Sequence, residues 1–549
     1  MKKKIEIVTV TFLIFIYIVG CNNNGVSDNS PISTSVPTTL ESTVIPVTAL
    51  YYPPGIKPNE VGKYSSLGFG NWYYGPGIPY QKRLDIMPST YLNTSVTNSS
   101  YLLHFFTMTD IHLQDIQTPA QRLYEGLENT GTMSGYTPSM LLTPQFFDAA
   151  IRTVNSLNEK KRFDFGIFLG DAINNAQYNE VRMYIDILDG KVINPNSDPL
   201  LTAATDYMLP FQSAGLNKSI PWYQVIGNHD HFWSGSFTPN NYMLQSMIGS
   251  NVLNVGNILH GENLDSRGRY MGVIDGSTEY GVVKYAGLTE EFSEPPQVNA
   301  NPDRRFINKT GFINEFFNTN SSPVGHGFAN STVPGCYTFE PKANLPLKII
   351  VLNDTQEEDC AVGHGSIASL NTERYTWLVN ELDKGQNEKK LMIIAAHIPI
   401  GISPYLFDNA STPSQTDLIA KLHTYSNLIL WISGHVHRNM VTPMPSTDIS
   451  HPEFGFWLVE TSSLRDFPQM FRLFDIVRNS DNTISIFATN VNPYAPSGSL
   501  AAKSRSYAIA AQQVFTHFDV QPIYVPTGAY NAELVKLLSP EMQDVIKNY

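Results

Sequence analysis

The sequence predicts an α/β fold, and three observations predict it. Between about residues 100 and 490, short apolar runs of strand length alternate with segments of helical period. Most of those runs are nearly unbroken in apolar residues, as strands buried on both faces require. Five of them end directly on a short polar motif, and the carboxyl ends of strands are where open α/β sheets build their sites.

Each element follows from a local signal. Tyr101 to Met108 is an apolar run ending in Thr109-Asp110. Thr143-Pro144 reads as a cap followed by proline at the first helical position, with Phe147, Ile151 and Val154 recurring at helical spacing behind it. Phe163 to Leu169 and Trp222 to Ile226 are buried strands ending in Gly170-Asp171 and Gly227-Asn228. Leu347 to Leu352 ends in Asn353-Asp354; Asn371 then caps a helix carrying Tyr375, Leu378, Val379 and Leu382, closed by Gly385. Leu391 to Ala396 ends at His397, and Leu428 to Ser433 at Gly434-His435. Phe456 to Glu460, Phe471 to Val477 and Thr483 to Ala488 complete the strands, the last two alternating and therefore edge or antiparallel members.

Outside this core the signals weaken. Lys2, Lys3 and Lys4 precede an uncharged apolar stretch, Ile7 to Val19, and then Gly20-Cys21. This resembles a bacterial lipoprotein signal over residues 1–20, with Cys21 as the lipidated residue, and the apolar stretch is short for a membrane span. The resemblance implies an exported protein tethered to a membrane, on the periplasmic or cell-surface side. Residues 21–60, rich in Asn, Ser, Thr and Pro at their start, read as a flexible tether. Residues 61–499 read as one large domain, and the Gly- and Asn-rich stretch 231–346 as an insertion that lies over the active face or is a plain surface excursion. Residues 500–549, with a helix expected at Ala532 to Leu538, read as an extension packed on the domain.

A net charge of −13, which becomes −15 without residues 1–20, argues against nucleic-acid binding as the main task. Two further cysteines, Cys336 and Cys360, form a candidate disulfide or remain buried thiols; neither sits in a motif.

The five motifs are Asp110-Ile111-His112, Gly170-Asp171-Ala172-Ile173-Asn174, Gly227-Asn228-His229-Asp230, His397 and Gly434-His435-Val436-His437. All supply carboxylate, imidazole or amide-oxygen ligands, a mixture that suits Mn, Fe or Zn better than an all-oxygen magnesium cage. In an extended loop, alternate residues of Asp-x-His and His-x-His point the same way, toward a common centre.

In this order, over Asp110 to His437, the motifs resemble those of the calcineurin-like metallophosphoesterase superfamily. The resemblance implies a four-layer α-β-β-α sandwich of two mixed sheets. It also implies two divalent metal ions: Asp110, His112 and His437 on the first, Asp171 bridging, and Asn228, His397 and His435 on the second. Such a pair acidifies a shared water and clamps an ester for attack by a metal-bound hydroxide. His229 would face the phosphoryl group and its leaving oxygen as an imidazolium, and Asp230 would orient that ring or cap its own loop. Asn174 stands where purple acid phosphatases carry a ligating tyrosine, which sets that branch aside.

The expectation is therefore a metal-dependent hydrolase of a small-molecule phosphoester, monoester or diester. The alternative is a surface lipoprotein that binds a ligand or partner without catalysis, which predicts a missing ligand or a replaced His229. Among the other histidines, His326 and His364 lie in Gly-His-Gly and read as solvated loop residues. Asp354 ends a strand on the presumed active face and reads as a turn residue; Arg465 and Asp466 follow the strand after Gly-His-x-His and either reach the site or stand as an ion pair or in solvent.

Overall fold

The computed structural model describes residues 36–49, 56–92, 94–128, 135–198, 200–201, 205–254, 268–359, 365–401, 405–407, 414–516 and 530–549. Two mixed sheets carry the fold. The strands of the first are β1 (Gln81–Arg83), β2 (Asn98–Met108), β3 (Phe165–Phe168) and β4 (Trp222–Gln224). The second holds β5 (Tyr337–Phe339), β6 (Leu347–Val351), β7 (Leu391–Ala395), β8 (Leu428–Ser433), β9 (Met440–Met444) and β10 (Phe456–Glu460). The chain then returns to the first through β11 (Phe471–Asn479), β12 (Ile484–Val491) and β13 (Ala532–Lys536).

The seven-stranded order is β1-β13-β12-β11-β2-β3-β4, and the six-stranded order is β5-β6-β7-β8-β10-β9. β2, β3 and β4 are parallel, with Phe105 opposite Phe165 and Ile167 opposite Tyr223. β6, β7, β8 and β10 are likewise parallel. Parallel neighbours put all their carboxyl ends on one side, so the loops carrying the five motifs leave two sheets at their same-sense ends.

Side-chain alternation sorts the core. On the six-stranded sheet Ile349, Val351, Ile393, Ala395, Leu430, Ile432, Trp457 and Val459 share one cluster with Phe105, Phe168 and Phe474 of the other sheet. The residues between them, including Ile350, Ile394, Trp431 and Leu458, pack against Leu378 and Leu382 of helix Thr372–Asn387 and Leu418 and Leu422 of helix Gln415–Leu422. Both strand faces are thus apolar, which is why these segments read as continuous hydrophobic runs. Helix Thr143–Lys160 starts one residue before the proline, with Leu142 and not the expected Thr143 at its cap and no side-chain cap bond, and it buries Phe147, Ile151 and Val154. Asn371 caps its helix by accepting from the Arg374 N–H at 2.8 Å. That helix runs past Gly385 to Asn387.

Several expectations are corrected. Within the expected tether, Ser42–Pro46 pairs antiparallel with Trp72–Pro76, and the Thr39 hydroxyl donates to the Asn490 carbonyl at 2.7 Å. Three consecutive β-branched residues, Thr43, Val44 and Ile45, suit strand pairing, so this part is no free linker. The stretch 231–346 is not wholly an insertion, because its last strand, β5, forms an edge of the six-stranded sheet. Residues 532–536 are a strand, not a helix. Ala532 and Leu534 enter the core while Glu533 bonds Ser485 on β12, a period of two that pairing with β12 enforces over helical propensity. β11 and β12 are antiparallel as expected, but both are interior strands. The helix Leu500–Thr516 had no counterpart in the sequence reading.

Cys21 and the signal-like segment lie outside the described residues, as do Cys360 and His364. Cys336 is buried, its sulfur accepting from the Asn353 N–H at 3.3 Å. No helix among the described residues is long and apolar enough to cross a membrane.

Candidate metal centre

The seven ligand candidates meet at one place, held there by backbone bonds between loops. The Asp110 N–H donates to the Gly170 carbonyl at 3.1 Å and the His112 N–H to the Asp171 carbonyl at 3.0 Å. The Gly434 N–H donates to the His397 carbonyl at 2.9 Å. The expected extended ligand loops are not what forms. Asp110, His112, Asp171, His435 and His437 all adopt positive φ, between 46° and 68°. That left-handed backbone is costly for residues with a Cβ, and it clusters at functional sites where surrounding structure enforces it. Gly170, with φ 95°, serves a different need: a Cβ there would lie 2.7 Å from the His397 ring and from the Gly227 nitrogen.

Two triads result. Asp110, His112 and His437 form one, and Asp171, His397 and His435 another; within each, the ligand atoms lie no more than 4.8 Å apart. His112, Asp171 and His229 make an overlapping third set. The Nε2 atoms of His112 and His437 approach to 3.1 Å. His397 Nε2 lies 3.3 Å from Asp171 Oδ2 and 3.0 Å from Asn228 Oδ1. One oxygen of Asp110 is fully used, accepting from the Thr109 hydroxyl at 2.7 Å and the His435 N–H at 2.9 Å. The other, Oδ1, is buried without a hydrogen-bond partner among the described residues and lies 3.2 Å from His437 Nε2. An orphaned carboxylate oxygen facing imidazole nitrogens is the donor set a borderline divalent cation takes.

Charge follows from this crowding. Burial alone would push the Asp110 carboxyl up, but the His437 and His112 rings outweigh it and hold it well below the usual range. Asp171 is held down in the same way, chiefly by His397 and His229. Against the cost of burial, Asp171 raises His397 to about 10, and Asp110 with Asp466 raises His437 to about 9. Burial takes His112 down to about 3, helped by Arg465, and His435 down to about 4, helped by the charge on His397.

Around the ligands stand residues that fix them. His397 Nδ1 donates to the Leu169 carbonyl at 2.8 Å, and His437 Nδ1 to Asp466 Oδ2 at 2.7 Å. Those bonds leave each Nε2 aimed into the site, the usual arrangement for a metal-bound imidazole. Asp354 accepts from the Ile398 N–H at 3.0 Å and from the His397 N–H at 3.3 Å, so its carboxylate holds the distant loop that carries His397, where a local turn role was expected.

His229 sits on the same floor. Its N–H donates to Asp171 Oδ1 and its Nδ1 to the Asn174 carbonyl, both at 2.8 Å. The expectation that Asp230 orients this ring is therefore corrected. Asp230 instead accepts backbone N–H groups of Gly227 at 2.7 Å, Ala172 at 2.8 Å and Asp171 at 3.1 Å. It caps its own loop and ties it to the preceding motif, and the ring is oriented by a main-chain oxygen. Gly235, unmarked in the sequence reading, packs on the His229 ring, where a Cβ would meet Cδ2 and Nε2 at 2.2 Å. His326 is not the solvated loop residue expected: it is buried, stacked on Trp222 with ring centroids 3.4 Å apart.

Comparison with known proteins gives a family. The family model described as calcineurin-like phosphoesterase matches residues 103–439. No match is found among curated proteins. Among solved structures, a dimetal phosphatase from Danio rerio is 12% identical at a TM-score of 0.33, over 72% of this chain and 100% of that one. A Staphylococcus aureus protein described as a 5'-nucleotidase, in complex with alpha-ketoglutarate, is 10% identical at a TM-score of 0.30, over 73% of this chain and 57% of its own.

Proposed function

Because this chain belongs to the calcineurin-like phosphoesterase family, whose model spans residues 103–439, we propose that it hydrolyses a small-molecule phosphoester at a binuclear metal centre. The observation that carries this reading is the pair of triads, Asp110-His112-His437 and Asp171-His397-His435, each with its ligand atoms within 4.8 Å. Asp110, His112 and His437 would hold one ion, and Asn228, His397 and His435 the other, with Asp171 shared. Two such ions supply an acidified water as nucleophile and a Lewis-acid clamp on the ester oxygens.

The chain's own residues do the rest. The Leu169 carbonyl and Asp466 hold the His397 and His437 rings with Nε2 inward. His229, with Nδ1 committed to the Asn174 carbonyl, has Nε2 as the nitrogen that carries a proton to the leaving oxygen. Burial draws His229 below its ordinary value, so that proton is readily given up once the ring holds it. The site works, in this reading, on the outer side of a membrane, with the chain attached through lipidated Cys21.

The test is hydrolysis of p-nitrophenyl phosphate and of its bis ester by the full chain loaded with Mn²⁺, beside Asp171→Asn. Turnover of at least one ester is expected, with the variant losing both activity and metal content. Metal-loaded protein inert toward both esters, or full occupancy by two ions in Asp171→Asn, would overturn the reading.

A further inference from the structure

Arg465 is a buried cation at the metal centre for which the ligand scheme provides no task. Its side chain is 3% exposed, yet it belongs to none of the five motifs. It follows Ser462-Ser463-Leu464, in the loop that leaves the carboxyl end of β10. That loop is pinned to the first motif. The Ser463 hydroxyl donates to the Asp110 carbonyl at 2.7 Å, and the Arg465 N–H donates to the same carbonyl at 3.3 Å.

The guanidinium reaches in two directions. Nη2 and Nε donate to Asp466 Oδ2 at 3.0 and 3.3 Å, and that oxygen also receives His437 Nδ1 at 2.7 Å. Nη1 donates to Asn174 Oδ1 at 3.0 Å, and the Asn174 main-chain carbonyl receives His229 Nδ1 at 2.8 Å. One planar fork therefore ends, at one remove each, on a ligand of one triad and on the ring proposed to protonate the leaving group. Arginine suits this bridge where lysine does not, because its donors point along fixed, divergent directions while an ammonium is a single point. The Arg465 and Asp466 N–H groups both donate to the Ser463 hydroxyl, at 2.9 and 3.1 Å, and the planar guanidinium moves its donors as one unit, so the two arms are coupled.

We propose that Arg465 is a positioning residue of the hydrolytic site. Through Asp466 it fixes the His437 ring on its metal ion, and through Asn174 it fixes the His229 ring toward the leaving oxygen, so that the two rings keep one geometry. The inference rests on the phosphoesterase reading. It goes beyond that reading in assigning a role to a residue that touches neither ion nor substrate.

The experiment compares the full chain with Arg465→Met, Arg465→Lys, Asp466→Asn and Asn174→Ala, measuring steady-state hydrolysis of the better p-nitrophenyl ester and Mn²⁺ affinity by titration. Asp466→Asn should weaken one Mn²⁺ site with the other kept, and Asn174→Ala should lower kcat with both sites kept. Arg465→Met should do both, about 10- to 100-fold in each, with KM little changed. Arg465→Lys, which keeps the charge and the fold but can hold only one arm, should recover one of the two properties and not both. Double variants should be non-additive, because Arg465→Met already releases both arms. Wild-type kcat and two wild-type Mn²⁺ sites in Arg465→Met, or in Arg465→Lys should the first not fold, would overturn the inference while leaving the phosphoesterase reading intact. Failure of the unmodified chain to hydrolyse either ester would instead remove the reading on which it stands.

Discussion

The Nε2 atoms of His112 and His437 stand 3.1 Å apart on loops 325 residues distant in sequence. Two imidazole nitrogens approach that closely only with a proton or a cation between them, and burial holds His112 well down, at about 3. A cation shared with Asp110 Oδ1 satisfies all three atoms at once. Chelation should therefore lower the melting temperature, and Mn²⁺ should restore it in a concentration-dependent way. At a hundredfold excess over Kd the stabilisation is about 2.7 kcal/mol for each ion bound only by the folded chain. Differential scanning calorimetry with and without EDTA reads it; identical transitions would count against a metal between these rings.

Metal loading should also release protons. His397, at about 10, and His437, at about 9, both lie above neutrality, so both rings are charged at pH 7 in the metal-free protein. Metal ligation needs them neutral, so binding the ion pair expels about two protons near pH 7. Protons compete with metal at both rings, so overall affinity rises with pH up to about 10, where the second of them is neutral without metal. Calorimetric titration with Mn²⁺ in two buffers of different ionisation enthalpy counts the protons, and a count of zero would contradict the pairing of these rings with Asp171 and Asp110.

Asp230 shows what a motif can and cannot say. Its carboxylate spans the second and third motifs by accepting main-chain N–H groups from each. Asp230→Asn swaps one acceptor oxygen for a donor facing those N–H groups. Leaving buried donors unmatched costs about 1–3 kcal/mol each, so this variant should melt earlier and bind metal more weakly even though it removes no ligand. Thermal melts and metal content measured together check this. An unchanged melt with a large fall in kcat would return Asp230 to a direct role in the chemistry.

The strands of this site were legible because burial on both faces leaves an unbroken apolar run, and because each run ends in ligands of recognisable chemistry. The run Ile393-Ile394-Ala395-Ala396-His397 carries both signals. Ala532 to Leu538 carried neither: Ala-Glu-Leu-Val-Lys fits a helix or a strand, and only its pairing with Ile484–Val491 decides. Which side chains the fold gathers at the candidate centre was legible residue by residue, but their backbone was not. Left-handed φ at Asp110 and His112 is imposed by bonds to the Gly170 and Asp171 carbonyls, partners about 60 residues away. Of the two readings of Asp230, orienting the ring failed and capping the loop held, for the same reason. Its neighbour His229 is adjacent in sequence, while the amides it holds belong partly to another loop.

Gly235 extends this argument to a residue with no chemistry of its own. It has φ 67°, its carbonyl accepts from Asn228 Nδ2 at 2.8 Å, and its Cα faces the His229 ring closely enough that a Cβ would lie 2.2 Å from Nε2. It is therefore one wall of the space that ring occupies. In Gly235→Ala the methyl must displace either the imidazole or the Asn228 amide, whose Nδ2 would be 2.6 Å away, and the left-handed backbone adds strain of about 1 kcal/mol or more. The remaining ligands of both triads are untouched by that clash. Activity should accordingly fall much further than stability, with kcat lowered and at most the site that Asn228 serves weakened. Steady-state kinetics and metal analysis of Gly235→Ala make the comparison. Unaltered turnover would mean that the His229 ring can leave this wall without consequence, and would remove it from proton transfer.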